Sequence, residues 1–261
     1  PGGGRLEQAD ATAWMAFYCT TMLSIALELA KHDDAYADIA SKFFEHFVSI
    51  TQAMNTLGGT GLWNEEDGFY YDLLSIDGIA IPLRARSIVG IIPLFAAETL
   101  DANLLEQLPH FRSRLNWLVA NKPGLSANMA FLPADPSNTR RLLAVPTRER
   151  LERVLARLLD EGEFLSPYGI RSLSKVHGEQ PWVLTVGDQR LDTKYAPAES
   201  DSGTFGGNSN WRGPIWFPLN YLLIESLQKF HHYYGDELQV ECPTGSGKFM
   251  SLWNVAAELS R

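Results

Sequence analysis

The chain has 261 residues, 45% hydrophobic and 20% charged, an ordinary globular balance with enough length to bury a large core. Its formal net charge is −9 and no run of Lys and Arg stands out. That balance argues against phosphate-driven binding to nucleic acid or to an anionic membrane surface, and suits a neutral or cationic ligand.

After a Gly-rich entry, Asp10 or Thr12 is placed to cap a helix whose apolar side includes Trp14, Met15, Tyr18, Met22, Ile25 and Leu29. Tyr18, Thr20, Thr21, Ser24 and Glu28 interrupt the apolar pattern of 13–30, which argues against a membrane span. A second helix is predicted from about Asp34, with Tyr36, Ile39, Phe43, Phe44, Phe47 and Ile50 at helical spacing, forming an antiparallel hairpin with the first. Asp67-Gly68, between two aromatic runs in 62–76, reads as a small β-hairpin.

Helical patterns are predicted again at 87–99 and 101–120, and a helix starts at Pro146-Thr147 after an irregular piece. Residues 161–210 carry little helical periodicity and many Gly, Ser, Pro and aromatic residues, as functional loops do. A further helix is expected over 213–234, and a last one from Phe249 that is still running at Arg261. The sum is an all-α chain of helical hairpins, of the kind found in α/α toroids, with fewer helices than a full toroid needs. Cys19 and Cys242 have no partner spacing and read as free thiols. No secretory leader is visible, the expected setting is cytoplasmic, and the start at Pro1 rather than Met fits a piece of something longer.

The stretch NSNWRGPIWFPLNY, 208–221, gathers Asn208, Asn210, Trp211, Arg212, Trp216 and Asn220 around Gly213 and Pro214. Flat aromatic faces cover the C–H surfaces of a pyranose, while Asn and Arg supply partners for hydroxyls. The same residues also read as a helix N-terminus with Pro in its first turn. Loop carboxylates occur at Glu7, Asp10, Glu65, Glu66, Asp67, Asp72, Glu199 and Asp201. Glycosidic cleavage commonly uses two carboxyls flanking the bond, although capping or solvent exposure accounts for most single ones. TGSGK at 244–248 has the wrong glycine spacing for a phosphate loop, and Phe249 stands where Ser or Thr would bind magnesium. The adjacent His231 and His232 point apart on a helix, and no Gly-x-Ser-x-Gly elbow is present.

The runs LEQADATAWMAFY, LWNEEDGFYYD, SPYGIRSLSKVH, PAESDSGTFGGNSNWRGPIWFPLNYLL and VECPTGSGKFMSLW, in that order, resemble the catalytic domain of glycoside hydrolase family 63 across nearly the whole chain. The resemblance implies an (α/α)6 barrel, incomplete here, that hydrolyses α-glycosidic bonds with inversion. Processing glucosidase I, bacterial α-glucosidases and mannosylglycerate hydrolases act in this way. It implies Asp10 as general acid and a general base beyond residue 261, on a remaining C-terminal part of the domain. Trp63, Phe69, Tyr70, Trp211, Arg212 and Trp216 are expected to shape the sugar subsite, with His177, Glu199, Asp201 and Asn210 as further contacts. No cofactor and no metal ligand is implied. Closing helices would cover Trp14, Phe249, Leu252 and Trp253. A non-catalytic carbohydrate-binding or scaffolding fragment is the alternative; a sugar epimerase would call for paired catalytic histidines, which nothing marks.

Overall fold

Two antiparallel helices, α1 (Ala9–Ala30) and α2 (Ala35–Thr56), carry the largest face of the core, joined by a turn at 31–34 as the sequence predicts. The computed structural model describes residues 4–56, 61–121, 140–197 and 215–261. α1 buries a row of small side chains, Ala9, Ala13, Ala16, Ala26 and Ala30, with Cys19, Leu23 and Leu27 among them. Bulky Phe44, Phe47, Val48 and Met54 are buried on α2, so small residues on one helix leave room for large ones on the other. α1 is long and apolar enough by length and composition to cross a membrane. Here its buried row belongs to the core cluster, while Met15, Tyr18, Ile25 and Leu29 are exposed.

The all-α expectation, and with it the (α/α)6 toroid, is corrected. Six small antiparallel sheets lie among the described residues, and the fold is mixed. β1 (Arg5–Glu7) pairs with residues 73–75; β2 (Trp63–Asn64) and β3 (Phe69–Tyr70) form the predicted Asp67-Gly68 hairpin. β4 (Asp72–Ile76) and β5 (Ile79–Leu83) form a second hairpin closed by Asp77 at φ 50° and Gly78 at φ 80°. That two-residue turn, with both residues left-handed, matches the strands' own twist. β6 (Ala97–Asp101) pairs with β7 (Arg140–Ala144), β8 (Leu165–Ser166) with β9 (Gly169–Ile170), and β10 (Trp182–Val186) with β11 (Gln189–Thr193). β12 (Gln239–Glu241) and β13 (Phe249–Ser251) complete the set. Among the described residues, 63–83 and 165–193 thus hold hairpins.

The predicted helix at 87–99 is instead two 3-10 turns, Ile88–Gly90 and Ile92–Phe95, followed by β6. Pro93 denies the helix a donor, and Gly90 is where backbone meets the Phe69 ring: a Cβ there would lie 2.2 Å from it. The predicted helix at 101–120 breaks at Pro109 into α3 (Ala102–Gln107) and α4 (Pro109–Asn121). α5 (Arg148–Leu158) starts where predicted, with the Thr147 hydroxyl accepting from Arg150 N. α6 (Phe217–Tyr234) packs on α7 (Leu252–Leu259). The last helix therefore begins three residues after Phe249, capped by Ser251, and ends before Arg261. Of the four residues expected to need covering, Leu252 is buried and Trp14 half-buried against Phe95, while Phe249 and Trp253 are exposed.

Candidate functional site

α1 begins at Ala9, one residue before the expected cap, and Gln8 in the cap position makes no side-chain bond. The acceptor comes from far along the chain: Asp72 Oδ1 takes the Ala9 N–H at 2.7 Å. Asp10, only 4% exposed, sits beside it, and its Oδ1 accepts from Ala11 N at 2.8 Å. Two buried carboxyl groups, Asp10 and Asp72, therefore stand at the start of α1, and Asp72 supplies the acceptor that its first amide needs. Asp72 and Ser87 also share the wall of a hollow of about 10 Å³, room for a single water.

The expectation that Trp63, Phe69 and Tyr70 face a sugar is corrected, because all three are interior. Phe69 has no exposed surface and stacks on Phe164 at 5.8 Å. Tyr70, equally buried, donates to Asn55 Oδ1 at 3.2 Å, and burial pushes its hydroxyl up to about 12. Trp63 donates to Glu65 Oε2 at 2.6 Å, with the guanidinium groups of Arg150 and Arg153 at 4.9 and 5.3 Å from its ring centroid. The hydrogen bonds from Trp63 and Arg153 hold the Glu65 carboxyl below its ordinary range. The hairpin aromatics thus belong to the core, with Arg150 and Arg153 of α5 over the Trp63 ring.

His177 is also corrected from a ligand contact to a backbone bracket. Its Nε2 accepts from Arg86 N at 2.9 Å, so Nδ1 carries the proton and donates to the Gln180 carbonyl at 3.1 Å. Both nitrogens are engaged, and burial holds its pKa below the ordinary histidine value. Sequence reading missed its neighbour Glu163, whose Oε1 receives Arg86 and Arg157 at 2.7 Å each while Oε2 accepts from Ser174 at 3.0 Å. Arg86 also meets Asp67 at 3.5 Å, tying the β2–β3 hairpin to the same network.

Glu199, Asp201, Asn210, Trp211 and Arg212 lie outside the described residues. Trp216 is half-buried against the core just before α6, and its carbonyl accepts from Asn220 N and from Asn220 Nδ2. Asn220 then reaches across to β9: its Oδ1 accepts from Ile170 N at 2.6 Å and its Nδ2 donates to Ile170 O at 3.2 Å. This amide clasps the SPYG turn to the head of α6, so two of the motifs singled out in the sequence meet. Beside the clasp opens a groove of about 900 Å³, whose walls include Tyr168, Phe217 and Tyr221. These rings are 86%, 79% and 54% exposed, and the sequence reading assigned none of them to a site. Phe217 and Tyr221, four apart at the start of a helix, were the available signal.

Comparison with known proteins places this geometry in context. The chain is 50% identical over 273 residues to an uncharacterized protein of Saccharomyces cerevisiae, an alignment covering 99% of the chain and 25% of that protein. It is 37% identical over 78 residues, 30% of the chain, to a Schizosaccharomyces pombe protein named probable mannosyl-oligosaccharide glucosidase, of which those residues are 7%. The chain thus spans about a quarter of the longer-matching relative. The family model described as the glycosyl hydrolase family 63 C-terminal domain matches residues 5–242, and the chain belongs to that family.

Proposed function

We propose that this chain is part of a glycosidase that hydrolyses α-glycosidic bonds in an oligosaccharide or small glycoside with inversion, and that Asp10 is its general acid. Family membership supports the reaction class, and the fission-yeast relative is named a probable mannosyl-oligosaccharide glucosidase. The observation that carries the residue assignment is the position of Asp10 in the first turn of α1, next to Ala9, whose N–H the Asp72 carboxyl holds. In this reading Asp72 is a positioning residue: by holding the first amide it sets where the helix starts and where the Asp10 carboxyl stands.

The reaction needs a proton delivered to the glycosidic oxygen as the C–O bond breaks, and a water attacking the anomeric carbon from the opposite face. A second carboxylate must take that water's proton, about 6.5–9.5 Å from the first in inverting enzymes. In this proposal that base is supplied by the segment that follows Arg261 in the parent protein. The decisive experiment is Asp10→Asn in the parent protein, assayed on disaccharides and on activated aryl glycosides. Turnover of the disaccharides should fall by roughly 10²–10⁴-fold, with a smaller loss on aryl substrates that need less proton assistance. An equal, mild loss on every substrate would remove Asp10 from the role.

A further inference from the structure

We infer that the open face of the sheet formed by β1, β4 and β5 is the seat of the part of the parent protein that precedes this chain, held there by aliphatic contacts. The register pairs Leu6 with Leu74, Leu74 with Ile81 and Ile76 with Ile79, so these five side chains stand on one face of the three strands. Arg5, Ser75, Ala80 and Pro82 take the other face. Large aliphatic residues in strict alternation with small or polar ones are the pattern of a covered sheet face. The described residues leave it open: Ile79 is 66% and Leu6 48% exposed, while Leu74, Ile76 and Ile81 are half-buried. Asp72 and Leu83, at its foot, are buried, so the face opens toward the Asp77-Gly78 turn. On β4 it is Leu73, directed the other way, that packs against the core.

The occupant follows from where the chain enters the sheet. Gly4, one residue before β1, lies against the face: a Cβ there would stand 3.2 Å from Ile76 Cγ1 and 3.4 Å from Leu74 Cδ1. The backbone leading into β1 therefore already runs over these aliphatic side chains. The chain covers 25% of its longer-matching relative, and the matching family model describes a C-terminal domain, so proteins of this kind carry sequence ahead of such a domain. Size decides between a tethered and a free partner. With Leu6 and Ile79 as its largely exposed members, the face offers well under the ~800 Å² per side that a standard stable interface buries. A covalently connected segment meets it at an effective concentration that a free protein does not reach, so a small contact suffices.

The test is thiol labelling of Ile79→Cys and Ala80→Cys, each in the 261-residue chain and in the parent protein, read peptide by peptide by mass spectrometry. Both positions are exposed near the tip of the hairpin and face opposite ways, so neither substitution should lower the melting temperature of the chain. In the chain both positions should label fast. In the parent protein labelling at position 79 should slow by about tenfold or more, while position 80 keeps its rate. Equal rates at position 79 in the two proteins overturn the inference. Slowing at both positions would mean that the whole hairpin is enclosed, and overturns the assignment to this face. Protection at position 79 that appears in the isolated chain and grows with its concentration assigns the face to a second copy, and overturns the inference as well. Ile79→Lys gives a second readout: it should lower the melting temperature of the parent protein and leave that of the isolated chain unchanged, and a parent protein that keeps its melting temperature overturns the inference.

Discussion

Asn220 and Ile170, fifty positions apart, exchange two hydrogen bonds: the Asn side chain accepts from Ile170 N–H and donates to Ile170 C=O. An amide is the one neutral side chain that mimics a neighbouring strand's backbone in this way. Asn220→Ala would orphan two buried backbone groups on Ile170, each costing about 1–3 kcal/mol. Gly169→Ala should also destabilise, since its φ of +117° is left-handed and the added Cβ would lie 2.9 Å from Asn220 Oδ1. Chemical denaturation of both variants should show lower midpoints; wild-type stability in Asn220→Ala would mean that the clasp is not needed to hold the turn.

Glu163 takes two arginines on one oxygen, Arg86 and Arg157, at 2.7 Å each. With its side chain 10% exposed, Glu163→Gln keeps shape and removes charge, leaving Arg86 and Arg157 without their anion. Breaking one side of a buried pair costs about 3–5 kcal/mol, and the Asp67 carboxylate beside Arg86 brings the expectation to the lower end of that range. Equilibrium unfolding reads the loss. A change within experimental error would show that the two arginines are content with solvent and Asp67.

What could be read from the chain divides along physical lines. α2, α5 and α6 announce themselves because apolar residues recur at helical spacing, and the Thr147 cap lies next to the helix it serves. Asp77-Gly78 is a legible hairpin signal, equal to Asp67-Gly68, and the strands that flank it carry no helical spacing. The apolar run at 87–99 misled because a buried 3-10 turn and a buried helix share composition, and Pro93 and the close approach at Gly90 decided between them. Long-range partners were out of reach: nothing local says that Asp72 caps α1 from 63 residues away. For the same reason Trp63, Phe69 and Tyr70 looked like a sugar platform. Aromatic residues suit cores and sugars alike, and only their burial in the folded chain separates the two.

His177 makes stability depend on pH. Burial lowers its folded-state pKa below the ordinary value of 6.5, so the unfolded chain takes up this proton before the folded one does. Where the unfolded state binds more protons, stability rises with pH; the contribution is therefore complete above about 6.5 and lost as pH falls from there toward the folded pKa. His177→Gln, which keeps an acceptor for Arg86 N, should have a lower melting temperature at neutral pH. Its fall between pH 7 and 5 should be shallower than that of wild type. Parallel melting curves for the two proteins across that window would take His177 out of the pH response.

The outer side of α1 leads to the last expectation. Met15, Tyr18, Ile25 and Leu29 recur at spacings of three, seven and four along the helix, each at least 41% exposed, and Ile39 on α2 is exposed as well. Met22, half-buried, falls between Tyr18 and Ile25 and completes a three-four alternation, the spacing that suits a partner helix. Open apolar rows of this kind favour association. The 261-residue chain expressed alone should therefore self-associate at micromolar concentrations, as read by light scattering after gel filtration. Tyr18→Lys with Ile25→Lys should shift it toward monomer while changing folding stability little, because both side chains are already about half in water. A monodisperse monomer before any substitution would show that this row tolerates water as it stands. A double variant that stays associated would move the contact to the exposed Phe249 and Trp253 at the other end of the chain.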